Sequence, residues 1–166
     1  MNRFHLPSQL SSDLELELQH IYLEVNAERY HYLPQFFEAY YCHRHNLVTK
    51  QGKVDWEAIF DFAPRSQAAR GVSQRKELVR EWLLPTSVVV GQLKALVRDE
   101  ELSLTNIQAV LDCALQYVIL TRGEAQALKQ KGLQTTMPAS YYQPSHQDYQ
   151  KSTARFDKVN IHIDGV

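Results

Sequence analysis

The sequence predicts a mainly α fold: a compact multi-helix bundle of about six or seven helices over residues 1–133, followed by a polar extended arm over residues 134–166. Three observations predict it. Capping boxes recur at Ser12 with Glu15, Thr105 with Gln108 and Thr121 with Glu124. Gly132 offers a helix stop, and apolar residues fall at helical spacing between these marks. In a capping box the hydroxyl and the carboxylate or amide each satisfy a backbone group that the first helical turn leaves unpaired.

From Ser12, the residues Leu14, Leu18, Ile21 and Val25 line one face of an amphipathic helix running from about residue 13 to about residue 32. Pro34 suits the first turn of a second helix, because its missing amide would have no partner there; Phe36, Phe37, Tyr40 and Tyr41 supply the apolar side. Residues 46–55 read either as a short β hairpin or as a capped loop. Asp55 caps a short helix carrying Trp56, Ile59 and Phe60, which must stop ahead of Pro64. Ser73 opens a helix with Leu78, Val79, Trp82 and Leu83, closed by Pro85, and Ser87 opens the next through Leu93, Leu96 and Val97. The helix from Thr105 continues through Leu111, Leu115 and Val118. The one from Thr121 ends at Gly132, where a left-handed residue lets Leu133 fold back on the last turn.

Beyond Leu133 the composition shifts to Gln, Ser, Thr, Pro and Tyr, with Asp148 and Lys151 the only charges in residues 134–153. This reads as a loosely packed arm. At its end Val159, Ile161 and Ile163 alternate with polar residues, the period of a half-buried strand. Such a strand could pair with the hairpin, with a second copy in a homodimer, or with another protein; a frayed terminus is the plain alternative.

The chain of 166 residues has room for one domain with a real core, and 22% charged residues with a net charge of -1 exclude a uniformly polycationic nucleic-acid binder. The balance is a cancellation. Residues 1–62 hold five Lys or Arg against nine Asp or Glu, residues 63–98 seven against two, and residues 99–166 six against eight. Arg65, Arg70, Arg75, Lys76 and Arg80 therefore form the candidate site for phosphates or for an acidic partner, the plain alternative being pairing with the chain's own acidic helices. A helix-turn-helix around Gly71 is weakly supported, since charged Arg70, Glu77 and Arg80 occupy packing positions.

No apolar run approaches the roughly 18–20 residues needed to cross a bilayer, no export signal is visible, and two cysteines suit a cytoplasmic protein with reduced thiols. Ten aromatic residues fall between Tyr22 and Phe62, either as a stacking platform or as core. His31, Cys42, His43 and His45 use the vocabulary of a metal site or an activated thiol, but their spacing does not place them on one helix face. Two Glu-x-x-His pairs share one helix without the facing glutamates that a di-iron bundle requires. Phosphate-cradling glycine loops, the nucleophile elbow and Cys-x-x-Cys are all missing from the sequence. The expected role is accordingly that of a small intracellular binding module, an adaptor, regulator or inhibitor of a protein partner, with no cofactor and no catalytic residues. Nucleic-acid binding through residues 63–98 is the first alternative. A metal or thiol enzyme using Cys42, His43 and His45 is the second.

Overall fold

A computed structural model describes residues 12–166. In chain order its elements are α1 (Ser12–Asn26), a 3-10 turn (Tyr30–Tyr32), α2 (Leu33–Arg44), α3 (Ile59–Phe62), α4 (Gln67–Arg70), a second 3-10 turn (Arg75–Glu77), β1 (Leu78–Trp82), α5 (Thr86–Arg98), α6 (Leu104–Ala114), β2 (Tyr117–Thr121), α7 (Arg122–Gln130), a third 3-10 turn (Ala139–Tyr142) and α8 (Ala154–Asp157). The fold is mainly α, with one two-stranded antiparallel sheet among the helices.

Where the chain carries chemical marks at helix ends, the ends fall there. Thr121 Oγ1 accepts from Glu124 N at 3.1 Å and Glu124 Oε2 accepts from Thr121 N at 2.9 Å, so the capping box opens α7. Gly132 takes φ +69° and Leu133 N donates back to Leu128 O, which closes it. α3 stops ahead of Pro64 as expected, but Asp55, whose Oδ1 accepts from Ala58 N at 3.1 Å, caps only the preceding turn; α3 begins at Ile59 and leaves Trp56 outside it. Other ends differ from expectation as well. α1 stops at Asn26 because Glu28 adopts φ +55°, and α6 is capped by Ser103, whose hydroxyl accepts from Asn106 N, instead of by Thr105. The box at Ser12 and Glu15 involves the Ser12 side chain, which lies outside the described residues.

The larger correction concerns two segments expected as helix. Residues 78–82 and 117–121 are the strands, paired Leu78 with Thr121, Arg80 with Ile119 and Trp82 with Tyr117. Tyr117, Val118, Ile119 and Leu120 are all buried, so the run has no polar face to reveal a period of two, and a continuous apolar run reads alike as strand or buried helix. The sheet separates two apolar clusters. Leu78, Tyr117 and Ile119 pack into the main core with α1, α2, α5 and α6, while Val79, Val118 and Leu120 pack with Leu83, Leu128, Phe156 and Ile161 on the other face. Alternation along both strands supplies each cluster with every second residue.

β2 is also covered on its far edge. Ile119 N donates to Pro64 O and Ser66 N donates to Ile119 O, and Ser66 in turn bridges Ile163. The expected strand over Val159, Ile161 and Ile163 is reduced to that one bridge. Burial does alternate, with Ile161 2% exposed, but Asn160 at φ +56° bends the chain out of an extended path. These three side chains are packing residues, not a free edge. Residues 46–55, which read either as a hairpin or as a capped loop, form a single antiparallel Val48–Val54 bridge around Gly52.

The segment after Leu133, expected as a loosely packed arm, packs into both apolar clusters: Met137, Tyr141 and Ala154 join the main core, while Phe156 and Ile161 close the second face of the sheet. Met137, Tyr141, Ala154, Arg155, Phe156 and Ile161 are buried. Their irregular spacing among polar residues leaves no period to read. Arg155 is fully buried, and its guanidinium donates to the carbonyls of Leu133 at 3.0 Å, Gln134 at 2.7 Å, Leu83 at 3.4 Å and Trp82, with Glu81 Oε1 3.4 Å from Nη2. A buried charge persists only when satisfied in this way.

Candidate functional site

On α2, Glu38, Tyr41 and Cys42 share one face, Tyr41 and Cys42 standing three and four residues after Glu38, and His45, the C-cap just past the helix end, follows on the same side. That face lies over the side of the sheet presenting Arg80, Trp82 and Tyr117. Trp82 and Tyr117 sit opposite each other across the strands and stack at 3.7 Å between ring centroids, an arrangement worth roughly 0.5–1.5 kcal/mol beyond burial. Tyr41 meets both edge-on, at 5.8 and 4.9 Å, and touches Phe62 at 6.3 Å. His45 fits between Tyr41 and Phe62, at 4.6 and 4.9 Å.

A fixed cation sits beside these rings. The Arg80 guanidinium lies 4.4 Å over Trp56 and 5.6 Å from the Tyr117 ring centroid, and Nη2 is 3.5 Å from Glu38 Oε1. Tyr117 donates its hydroxyl proton to the same Glu38 oxygen at 3.0 Å. Arg80 Nη1 is buried without a hydrogen-bond acceptor among the described residues. Trp56 and Phe62 remain 42% and 49% exposed, so the patch presents aromatic surface around a held, partly accessible charge.

Burial sets the titration behaviour of the patch. It raises the Tyr117 hydroxyl, with Glu38 adding to the effect, and pushes Tyr41 up to about 12. Burial also lowers His45, with Arg44 adding to it, which favours a neutral ring. The Cys42 thiol is pushed up to about 11, chiefly by burial, and is therefore a poor source of thiolate.

Of the basic residues singled out in the sequence, Arg65 and Arg75 line the same groove. Arg65 donates to the carbonyls of Val72 and Phe60. Arg70 pairs with Asp164 at 2.8 Å. Arg75 forks onto Glu57 at 2.9 and 3.1 Å and covers the Phe60 ring at 3.2 Å. Arg80 is held as described, and Lys76 is exposed. Four of the five are thus engaged within the chain, three of them on acidic residues. Of the metal candidates, His31 is exposed against Tyr32, Cys42 is buried and His45 is enclosed by rings. Among the described residues no three of His, Cys, Asp and Glu are grouped to hold a metal ion, and no helix is long and apolar enough to cross a membrane.

Sequence reasoning flagged Arg80, His45, Trp56, Tyr41 and Phe62 separately but missed Glu38, Trp82 and Tyr117. The last two are brought together by strand pairing, and their segments read as helices. The chain matches no family model, no curated protein and no solved structure.

Proposed function

We propose that this chain is a small helical binding module, an adaptor, regulator or inhibitor, that holds a protein partner through the surface formed by Trp56, Phe62 and Arg80. The observation that carries the reading is an exposed Trp56 ring lying against the Arg80 guanidinium, which Glu38 also holds, with a second exposed ring, Phe62, joined to the same aromatic cluster through Tyr41. Trp, Tyr and Arg are the residue types that dominate binding energy at protein interfaces, most of all when the rings are pre-positioned by packing. The reading includes a cytoplasmic setting, supported by two cysteines that remain unpaired.

Nucleic-acid binding by Arg65, Arg70, Arg75, Lys76 and Arg80 requires Arg70, Arg75 and Arg80 to exchange their carboxylate partners for phosphates. Dimerisation through Val159, Ile161 and Ile163 requires Ile161 to leave the core.

The experiment is affinity capture from the host with and without nuclease, comparing the native chain with Trp56→Ala and Phe62→Ala. A discrete protein partner is expected to survive nuclease and to bind each variant roughly 30-fold more weakly, the loss typical of a hot-spot side chain. Thermal melts of both variants check that the fold is intact. Capture that vanishes with nuclease, or that is indifferent to both substitutions, overturns the reading.

A further inference from the structure

β2 is paired along both edges, with β1 on one and with Pro64 and Ser66 on the other, whereas β1 bridges no third strand among the described residues. Register decides which groups this leaves over. Ile119 donates its N–H to Pro64 O and accepts from Ser66 N, so it exchanges no hydrogen bonds with Arg80, which stands opposite it. In an antiparallel ladder a residue of such a pair turns its own N–H and C=O away from its partner, and the next residue but one does the same. Leu78, Arg80 and Trp82 therefore aim their backbone groups at the outer edge. The chain itself satisfies the two end residues. Leu78 N donates to Arg75 O and Leu78 O accepts from Arg75 Nη1 at 3.3 Å, while Trp82 N donates to Glu81 Oε1 at 3.0 Å and Trp82 O accepts from Arg155. Between them, the N–H and C=O of Arg80 have no partner among the described residues. The edge is also open, since Val79 to Trp82 are part-exposed where Tyr117 to Leu120 on β2 are buried.

We propose that a protein partner adds a short extended segment to this edge, one of its residues exchanging both backbone hydrogen bonds with Arg80. The inference rests on the protein-binding reading above and specifies how the partner meets the surface of Trp56, Phe62 and Arg80: as a strand. An unpaired N–H and C=O on one residue match an extended backbone, which presents the same pair in return, whereas a helix has its own backbone groups paired internally. Cross-strand neighbours point to the same face of a sheet, so the residue opposite Arg80 brings its side chain to the face where Trp56 lies 4.4 Å from the Arg80 guanidinium. An aromatic side chain fits there. The side-chain caps on Leu78 and Trp82 keep the contact short, which spares the protein the long flat edge that drives aggregation. They also leave little room for a second copy of the chain, whose symmetric pairing at this point sets Arg80 directly across from Arg80.

The test follows amide hydrogen exchange in the full chain by NMR. In the chain alone the Arg80 amide should exchange far faster than those of Val79 and Glu81, which the register turns toward β2. An Arg80 amide already protected there overturns the proposal: the chain holds its own edge, or, where protection fades on dilution, a second copy holds it. The probe is a synthetic peptide of about seven residues, alternating Thr and Val with Tyr at its centre, long enough for one strand. For a dissociation constant of about 1 mM, about 4 mM peptide should slow exchange at Arg80 about fivefold and leave Val79 and Glu81 unchanged. The same peptide with every backbone nitrogen methylated has no N–H to donate to Arg80 O and should have no effect. No slowing at Arg80, or equal slowing by both peptides, overturns the proposal. The unmethylated peptide should also displace the partner captured from the host. A partner that requires Trp56 and Phe62 yet stays bound at saturating peptide overturns this inference and leaves the first reading standing. Capture indifferent to Trp56→Ala and Phe62→Ala removes that reading, and this inference with it.

Discussion

Arg155 and Glu81 form an ion pair whose surroundings matter more than its attraction. Burial pushes the Glu81 carboxyl up and the Arg155 guanidinium down, and each partner only partly offsets the other's desolvation. The pair therefore fixes geometry more than it adds stability. Removing one half is another matter. Arg155→Ala should destabilise the protein by about 3–5 kcal/mol, because it leaves Glu81 and a set of carbonyls in the interior without their donor. The double replacement Arg155→Met with Glu81→Leu should be closer to the native chain than Arg155→Ala is, since the carboxylate goes with its partner. Urea midpoints of the three proteins decide it. An Arg155→Ala midpoint equal to the native one would show that the guanidinium is not needed where it lies.

At the scale of elements, the 3-10 turn Ala139–Tyr142 and α8 are too short to stand by themselves, and Asp148 ties them together. Its Oδ2 accepts from Ser140 Oγ at 2.8 Å and pairs with Lys158 Nζ at 3.1 Å, with His146 Nδ1 at 3.6 Å. The Ser140 hydrogen bond first, and Lys158 next, hold this carboxyl below its ordinary value of 3.8. A carboxyl lowered in the folded state binds fewer protons there than in the unfolded chain. Its stabilising contribution is thus complete above the ordinary value and is lost as pH falls through the lowered one. The gap in urea midpoint between the native chain and Asp148→Asn should be constant from about pH 5 to 7 and should close below about pH 4. A gap that persists unchanged at low pH would remove Asp148 from this role.

The elements also show what could be read in advance. Helix ends marked by Pro64, Thr121 with Glu124, and Gly132 were legible because capping and proline's steric effect are local chemistry. The strands were not, because residues 117–121 are buried on both faces and show no alternation. The Trp82–Tyr117 stack, and with it half of the candidate site, depended on that unread pairing. Arg80 was legible as a cation but not as a paired one, since Glu38 lies 42 residues away.

For the whole molecule, the second apolar cluster draws on residues from both sides of Leu133. A chain cut after Leu133 would uncover Val118 and Leu120 and lose Arg155, Phe156 and Ile161. Such a protein should expose apolar surface, bind a hydrophobic dye and melt without a sharp transition, whereas the sequence reading anticipated a stable helical remainder. Circular dichroism melts beside the full chain check it. A cooperative melt within a few degrees of native would mean that the segment only rests on the sheet.

The same closure has a consequence during biosynthesis. A chain emerging from its N-terminus at about 5–20 residues per second reaches Leu120 roughly 2–8 s before Ile161. Through most of that interval Leu83 and Leu128 cover the outer face of β2 only in part, without Phe156 and Ile161, so the nascent protein presents apolar surface to whatever chaperone or neighbour is at hand.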